Sequence, residues 1–365
     1  MITTENLCLV TAQPEFMTAA FAELKIMDKG LIEIEELTPD ITLCQTPNVV
    51  QLMNIASNTH PTFARHIAPV QTVVPLDNKE QDLGAIALAT IQLPDFALLE
   101  RGTHFAVQTR LTQTNKAEGE RAYSSGQVNK ALAEALAEET GAVEDIKKPQ
   151  VVISLLCTMN KGYLGISTAE RNLSSWPGGA RHYAQTKEQI SRAEFKLLEA
   201  LEVFGVTLPT QGHALDLGAA PGGWTRLLLN AGLQVVAVDP ARLDPRLVRS
   251  KGLEHYRGYA EDYLEAAVQQ NRRYDLIVND MRMDAREAAR LLSKASSCLQ
   301  VDDGFMISVF KLPHATLEVD PFVNLKEALA ILRRSYRIVQ ARQLFHNRQE
   351  VTVITAQPIP QQRRR

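Results

Sequence analysis

Cysteine is scarce and scattered. Cys8, Cys44, Cys157 and Cys298 show no Cys-x-x-Cys spacing, which argues against a zinc site or a disulfide framework and for a reducing cytoplasm. No apolar run approaches the roughly 20 residues of a membrane span, and the opening Met-Ile-Thr-Thr-Glu-Asn lacks the basic and apolar regions of a secretory leader. No cluster of metal-ligand residues is apparent, so no metal is expected. A large charge of one sign is absent too, the net charge being −3. That balance hides an asymmetry. Residues 1–150 carry 11 Lys+Arg against 20 Asp+Glu, a balance of −9, and the rest carry 28 against 22, a balance of +6. A polyanion is therefore drawn to the C-terminal part and the junction before it. What remains is ordinary: 365 residues, 45% hydrophobic and 22% charged, enough for two or three domains that each bury a core.

The most informative stretch is His213–Trp224, His-Ala-Leu-Asp-Leu-Gly-Ala-Ala-Pro-Gly-Gly-Trp. Ala214, Leu215 and Leu217 read as a short buried strand carrying Asp216. Gly218, Ala219, Ala220, Pro221, Gly222 and Gly223 make a turn with almost no side chain, and Trp224 opens a helix. Strand, glycine turn and helix form the first unit of a doubly wound α/β domain, whose ligand meets backbone N–H groups and a helix N-terminus. The spacing is not Gly-x-Gly-x-x-Gly, which disfavours a dinucleotide. An acid just before the turn suits a cationic ligand, and S-adenosylmethionine, with its sulfonium and ammonium groups, is one. The turn backbone and Trp224 are expected around its methionine portion. Asp239, ending the strand Gln234 to Val238, is expected to accept its ribose hydroxyls. Asp216 either faces the ligand or supports the turn.

Along the chain, a small α+β unit is expected over residues 1–50: a strand at Leu7 to Thr11, a helix at Glu15 to Met27, and one or two strands in Leu31 to Leu43. A helix at Val49 to Ser57 leads into a second unit over residues 51–171, with a strand near His66 to Val74 and a turn-rich stretch at Pro75 to Gln81. A strand from Phe105, a helix capped by Ser124 and ending at Gly141, and strands Val151 to Cys157 and Gly162 to Ser167 complete it. That order, with its Lys-Pro and Tyr-Leu-Gly-Ile, resembles the THUMP domain of RNA-modifying enzymes. Residues 172–189 read as a linker that Arg181, His182 and Lys187 make basic. Residues 190–358 form the glycine-turn domain, opening with a helix from Ile190 to Phe204. Its sheet is expected to have seven mostly parallel strands and an antiparallel last strand. A basic tail, 359–365, follows.

Four polar residues stand out by position: Lys196 in the helix before the glycine strand, Asp280 and Lys311 at the ends of two strands, and Glu350 at the start of the last. Strand ends on the carboxyl side of such a sheet point into the ligand crevice. The Asn279-Asp280-Met281-Arg282 stretch is not the Asn-Pro-Pro-Tyr type that grips an amino group, and Cys298 lies in an expected helix, away from strand ends. Base methylation is the nearest competing enzyme class. A non-catalytic scaffold would more naturally have lost one of the four charges.

Asp-Leu-Gly-Ala-Ala-Pro-Gly-Gly-Trp, Asn-Asp-Met, Phe-Lys-Leu-Pro and the final Glu resemble the FtsJ-type ribose 2′-O-methyltransferases. The resemblance implies S-adenosylmethionine as cofactor and a catalytic Lys-Asp-Lys-Glu tetrad at Lys196, Asp280, Lys311 and Glu350. Joined to a THUMP-bearing N-terminal half, it implies RNA as partner, with a cytidine ribose of 23S rRNA as the target. In Tyr256-Arg-Gly-Tyr-Ala-Glu-Asp the acid that this family has directly after Gly is missing, which leaves Asp262 as the candidate for adenine contact. A ribose hydroxyl must lose its proton as it attacks. A lysine serves as base only if its pKa falls well below about 10.4, through burial or a second cation such as Lys196. Lys311 is the expected base, steered by Asp280, with Lys196 and Glu350 positioning the ribose. Alternatively, both lysines only stabilise the developing oxyanion.

Overall fold

The computed structural model describes residues 6–112, 121–314 and 320–359, in two compact units, 1–181 and 182–365. Residues 360–365 of the expected basic tail lie outside the described residues.

The first unit runs β1 (Leu7–Thr11), α1 (Met17–Met27), β2 (Ile32–Thr38), β3 (Ile41–Gln45), α2 (Val49–Thr59), β4 (His66–Val70), β5 (Thr72–Pro75), α3 (Gln81–Ile91), β6 (His104–Leu111), α4 (Ser125–Thr140), β7 (Val143–Glu144), β8 (Val151–Cys157) and β9 (Lys161–Thr168). It holds two sheets, β2-β3-β1-β4 and β5-β9-β8-β6-β7. The first takes its fourth strand from beyond residue 50, since β4 pairs antiparallel with β1. The single strand expected near His66 to Val74 is divided at Gln71, and its halves join different sheets. Gln71 explains the break, because its side-chain oxygen accepts the N–H of Ile166 at 2.8 Å. At Gly165 a Cβ would lie 2.1 Å from the Pro69 carbonyl oxygen, so only glycine lets β9 approach β4 this closely. Helix α4 carries the expected punctuation, with a reciprocal Ser124–Gln127 capping box and left-handed Gly141 at its end. Helix α3 is not anticipated from sequence, because Gly84 and the β-branched Thr90 and Ile91 weaken its helical signal.

The second unit runs α5 (Ala193–Val203), β10 (His213–Leu217), α6 (Gly223–Asn230), β11 (Gln234–Val238), β12 (Leu253–Tyr256), α7 (Ala260–Gln269), β13 (Leu276–Asn279), α8 (Ala285–Ala295), β14 (Phe305–Lys311), α9 (Pro321–Leu332), β15 (Tyr336–Arg342) and β16 (Glu350–Pro358). The seven-stranded order is β12-β11-β10-β13-β14-β16-β15. Strands β10 to β14 are parallel, and β16 enters antiparallel between β14 and β15. This is the expected doubly wound sheet with an antiparallel last strand. Strand order reverses between β10 and β13, where such sheets open a crevice at their carboxyl ends. The core on one face joins Leu197 and Ala200 of α5 to Trp224 and Leu228 of α6 and to Val235, Leu276 and Val278 of the sheet. Among the described residues no helix is long and apolar enough to cross a membrane.

Candidate active site

Antiparallel insertion of β16 sets the centre of the site. Running against β14, it places its first residue, Glu350, opposite the last residue of β14, Lys311. The segment after β13 closes in from the other side, since Asp284 forms a backbone bridge to Lys311. Helix α5 brings Lys196, whose neighbour Leu197 is fully buried in the core and fixes which way the helix faces.

The four charges alternate at hydrogen-bond range. Lys311 Nζ donates to Asp280 Oδ1 at 2.8 Å and to Glu350 Oε1 at 2.5 Å. Lys196 Nζ lies 3.4 Å from both Asp280 oxygens. It also forms a close ion pair with Glu350 Oε2 at 2.6 Å, without the alignment of a hydrogen bond. Each carboxylate is thus held by both ammonium groups. These side chains, 14–24% exposed, face a cavity of about 1320 Å³ lined also by Phe195, Ala220, Arg282, Phe345 and His346.

Charge pairing sets the protonation states. Burial alone would lower the Lys311 pKa, but Asp280 and Glu350 outweigh it and hold the ammonium above the ordinary lysine value. Burial alone would raise Glu350, and the two lysines outweigh it in the same way, keeping its carboxyl below the usual range. The lowered pKa that a base role for Lys311 needs is therefore not met here. The second cation, Lys196, pairs with the same two carboxylates, and those carboxylates hold the proton on Lys311.

The glycine turn lies at the crevice as expected, with two differences in detail, and of the two roles open to Asp216 it takes the supporting one. Its first N–H groups are used internally: those of Gly218 and Ala219 go to the Val238 carbonyl at 2.9 and 3.2 Å, and that of Ala220 to Asp239 Oδ2 at 3.0 Å. Trp224, expected beside the cofactor, is a core residue whose ring N–H donates to the Ala193 carbonyl at 2.6 Å. It pins α5 to α6. Asp216 is also buried, accepting the Thr225 hydroxyl at 2.6 Å and so tying β10 to the first turn of α6. Burial, with Asp280 and Asp239 close by, pushes its pKa up to about 7 against the pull of the Thr225 bonds. Gly218 and Gly222 have φ of +74° and +111°. A Cβ there would come within 2.6 Å of Met281 and 2.3 Å of Leu247, so no larger residue fits either position. Pro221 is exposed and Gly223 buried beneath Ser191. Asp262 stands exposed in the first turn of α7.

Two residues went unnoticed in the sequence. Glu194, buried in α5, pairs with Arg226 of α6 and accepts the Ile190 N–H at 2.7 Å. Glu199, buried one turn after Lys196, accepts the N–H groups of Phe345 and His346 at 2.7 and 2.9 Å and His346 Nδ1 at 2.7 Å. The only local trace of either is an acid at a position the helix buries.

Residues 189–326 match the model of the FtsJ-like methyltransferases. Proteins named ribosomal RNA large subunit methyltransferase M are similar to the chain. The one from Halorhodospira halophila is 34% identical over 49% of this chain and 50% of its own. That from Methylococcus capsulatus is 34% identical over 53% and 55%. That from Marinobacter nauticus is 30% identical over 67% and 69%. The chain belongs to the ribosomal RNA large subunit methyltransferase M family. In the first two comparisons it spans about half the length of the relative. The family's FtsJ-like domain takes S-adenosylmethionine as cofactor, and the crevice fits that molecule. Asp239, at the carboxyl end of β11 beside the glycine turn, offers a carboxylate to a ligand bearing hydroxyl and cationic groups. Two buried polar atoms there, Asn279 Nδ2 and Ser191 Oγ, have no hydrogen-bond partner among the described residues. Among those residues no group of three or more His, Cys, Asp or Glu could hold a metal.

Proposed function

We propose that the protein methylates a ribose 2′-hydroxyl of ribosomal RNA in the cytoplasm, with 23S rRNA as substrate and a cytidine as the nucleotide. The observation that carries this is the alternating set of Lys196, Asp280, Lys311 and Glu350 at the mouth of a methyltransferase crevice. An alcohol is a poor nucleophile whose oxygen changes charge during attack, and fixed ammonium and carboxylate groups are suited to that change. Bound S-adenosylmethionine supplies an electrophilic methyl group. Asp239, the turn from Gly218 to Gly223 and Asn279 would hold it, with Asp216 supporting the turn from beneath. Lys311 and Lys196, both kept near carboxylates, orient the hydroxyl oxygen and stabilise negative charge on it. Asp280 accepts the hydroxyl proton as the oxygen attacks, and the negative charge this leaves on oxygen is what the two ammonium groups stabilise.

Base methylation is the weaker reading. Chemistry at C5 of a pyrimidine needs a cysteine nucleophile, and Cys298 is fully buried with its thiol pKa raised by that burial. The N-terminal unit is assigned as a THUMP-like RNA-delivery unit on the order of its elements. Mapping 2′-O-methyl groups in cellular RNA with and without the protein, by alkaline hydrolysis ladders and nucleoside mass spectrometry, tests the function. One protected phosphodiester in 23S rRNA should vanish without the protein. A lost methyl found on a base overturns the reaction class.

A further inference from the structure

The cavity has a second wall that the methyl-transfer chemistry does not use. Opposite in character to the four charges, it consists of Phe195, Phe345 and His346. These belong to an interlocked aromatic set. Tyr183 stacks on Phe195 at 5.6 Å and 18°, and His346 lies 5.3 Å from Phe195 and 5.4 Å from Tyr183. Phe345 stands edge-on to His346 at 5.2 Å and 85°, and edge-on to His182 at 4.8 Å and 75°. Phe195 is almost wholly buried and serves the core. Phe345 is part-buried, His346 keeps 16% of its side chain exposed, and both line the cavity. Glu199 holds both by their backbone N–H groups and fixes the imidazole through Nδ1. An aromatic surface so immobilised loses little entropy when a flat ligand settles on it.

We propose that Phe345 and His346 form the stacking site for the nucleobase of the nucleotide being methylated. The inference rests on the ribose reading of the four charges and goes beyond it by placing the base. A nucleobase is attached to C1′, the carbon next to the one bearing the reacting hydroxyl. A site that holds O2′ at Lys311 must therefore receive the base within a few ångström. The aromatic wall meets this requirement by sequence as well as by space: Phe195 precedes Lys196, and His346 lies four residues before Glu350, in the loop that leads into β16. Exposed Arg192, Arg282 and Arg348 at the same cavity suit the phosphates on either side. Stacking takes place only on a base that has left its helix, so the acceptor nucleotide is single-stranded or flipped out when methylated.

The test uses the full-length protein and two synthetic RNAs, with the mapped acceptor nucleotide either intact or abasic. On intact RNA, Phe345→Ala should lower kcat/KM roughly 5- to 150-fold, the range for loss of one base–aromatic stack. Phe345→Trp should restore it, and S-adenosylmethionine affinity should stay unchanged. Wild-type protein should lose a similar factor on abasic RNA, and Phe345→Ala should cause no further loss there. Equal wild-type turnover on intact and abasic RNA overturns the stacking site, as does an undiminished Phe345→Ala effect on abasic RNA. If the wild-type protein places no methyl on ribose, the ribose reading is what fails. Ultraviolet crosslinking to total ribosomal RNA then decides the stacking site by itself. A nucleotide adduct on the peptide carrying Phe345 and His346 supports it, and adducts only elsewhere overturn it.

Discussion

Glu199 and His346 are joined twice, the buried carboxylate accepting the His346 N–H and its Nδ1, and a third bond reaches the N–H of Phe345 just before it. The contact ties α5, which carries Lys196, to the loop that leads into Glu350. Two members of the charge set thus reach their places through one carboxylate that touches neither. Replacing it with alanine strands three donors, at roughly 1–3 kcal/mol for each left buried.

Glu199→Ala should lower the melting temperature by several degrees and, well below that temperature, cut kcat at least tenfold. S-adenosylmethionine affinity should stay within twofold, because the glycine turn lies apart from this loop. A purely structural role would leave kcat alone under those conditions. An unchanged kcat with a lowered melting temperature therefore rejects Glu199 as a positioning residue.

Lys311 should act as a cation and not as a base. Its folded-state pKa lies above the ordinary value, so its ion pairs contribute stability fully below the unfolded pKa of about 10.4 and lose it only as pH rises through the raised value. Glu350 has the opposite sign: its contribution is present above about 4.3 and is lost as pH falls through its lowered pKa. Between those limits kcat should be flat on Lys311's account. Lys311→Ala should lose about 10²- to 10³-fold in kcat. Lys311→Arg, which keeps the charge and cannot deprotonate, should retain a measurable part. A Lys311→Arg protein as inactive as Lys311→Ala, with a wild-type rate climbing toward pH 10, would restore the base assignment.

Asp216 should make the ligand-free protein less stable as pH rises. Its folded pKa of about 7 lies above the unfolded value. The folded state therefore holds more protons between about 3.9 and that point, and stability falls with pH across the interval. Asp216→Asn keeps an oxygen for the Thr225 hydroxyl and removes the titration. It should be more stable than wild type at pH 8, by on the order of a few kcal/mol, and the advantage should fade toward pH 4. Denaturant midpoints at the two pH values check this, and equal differences at both would reject it. Calorimetry in two buffers should also find a proton released on cofactor binding near pH 6.5, absent in the variant.

The elements of both units were largely legible in the sequence because their signals are local. The alternation in His213–Leu217, the glycine turn, the Ser124–Gln127 box and Gly141 each act within a few residues, so each announces its element. Helix α3 was missed because its residues contradict their own conformation, which only packing against the sheet overrides. The division of β4 from β5 was missed because it depends on Gln71 meeting Ile166, 95 positions away.

The same distinction separates two parts of the site. The sequence by itself determined which residues end strands on the crevice side, and hence that Asp280, Lys311 and Glu350 would meet. A parallel sheet with one antiparallel insertion leaves them no other place. Tertiary structure alone decided what each does there. Trp224 faces the core because α5 offers the Ala193 carbonyl, and Asp216 turns to Thr225 beneath the glycine turn. Lys311 keeps its proton because two carboxylates outweigh burial. Glu199 finds its partners 146 and 147 positions along the chain. Protonation and facing are set by the whole neighbourhood of a side chain, and that neighbourhood exists only once distant segments have packed together.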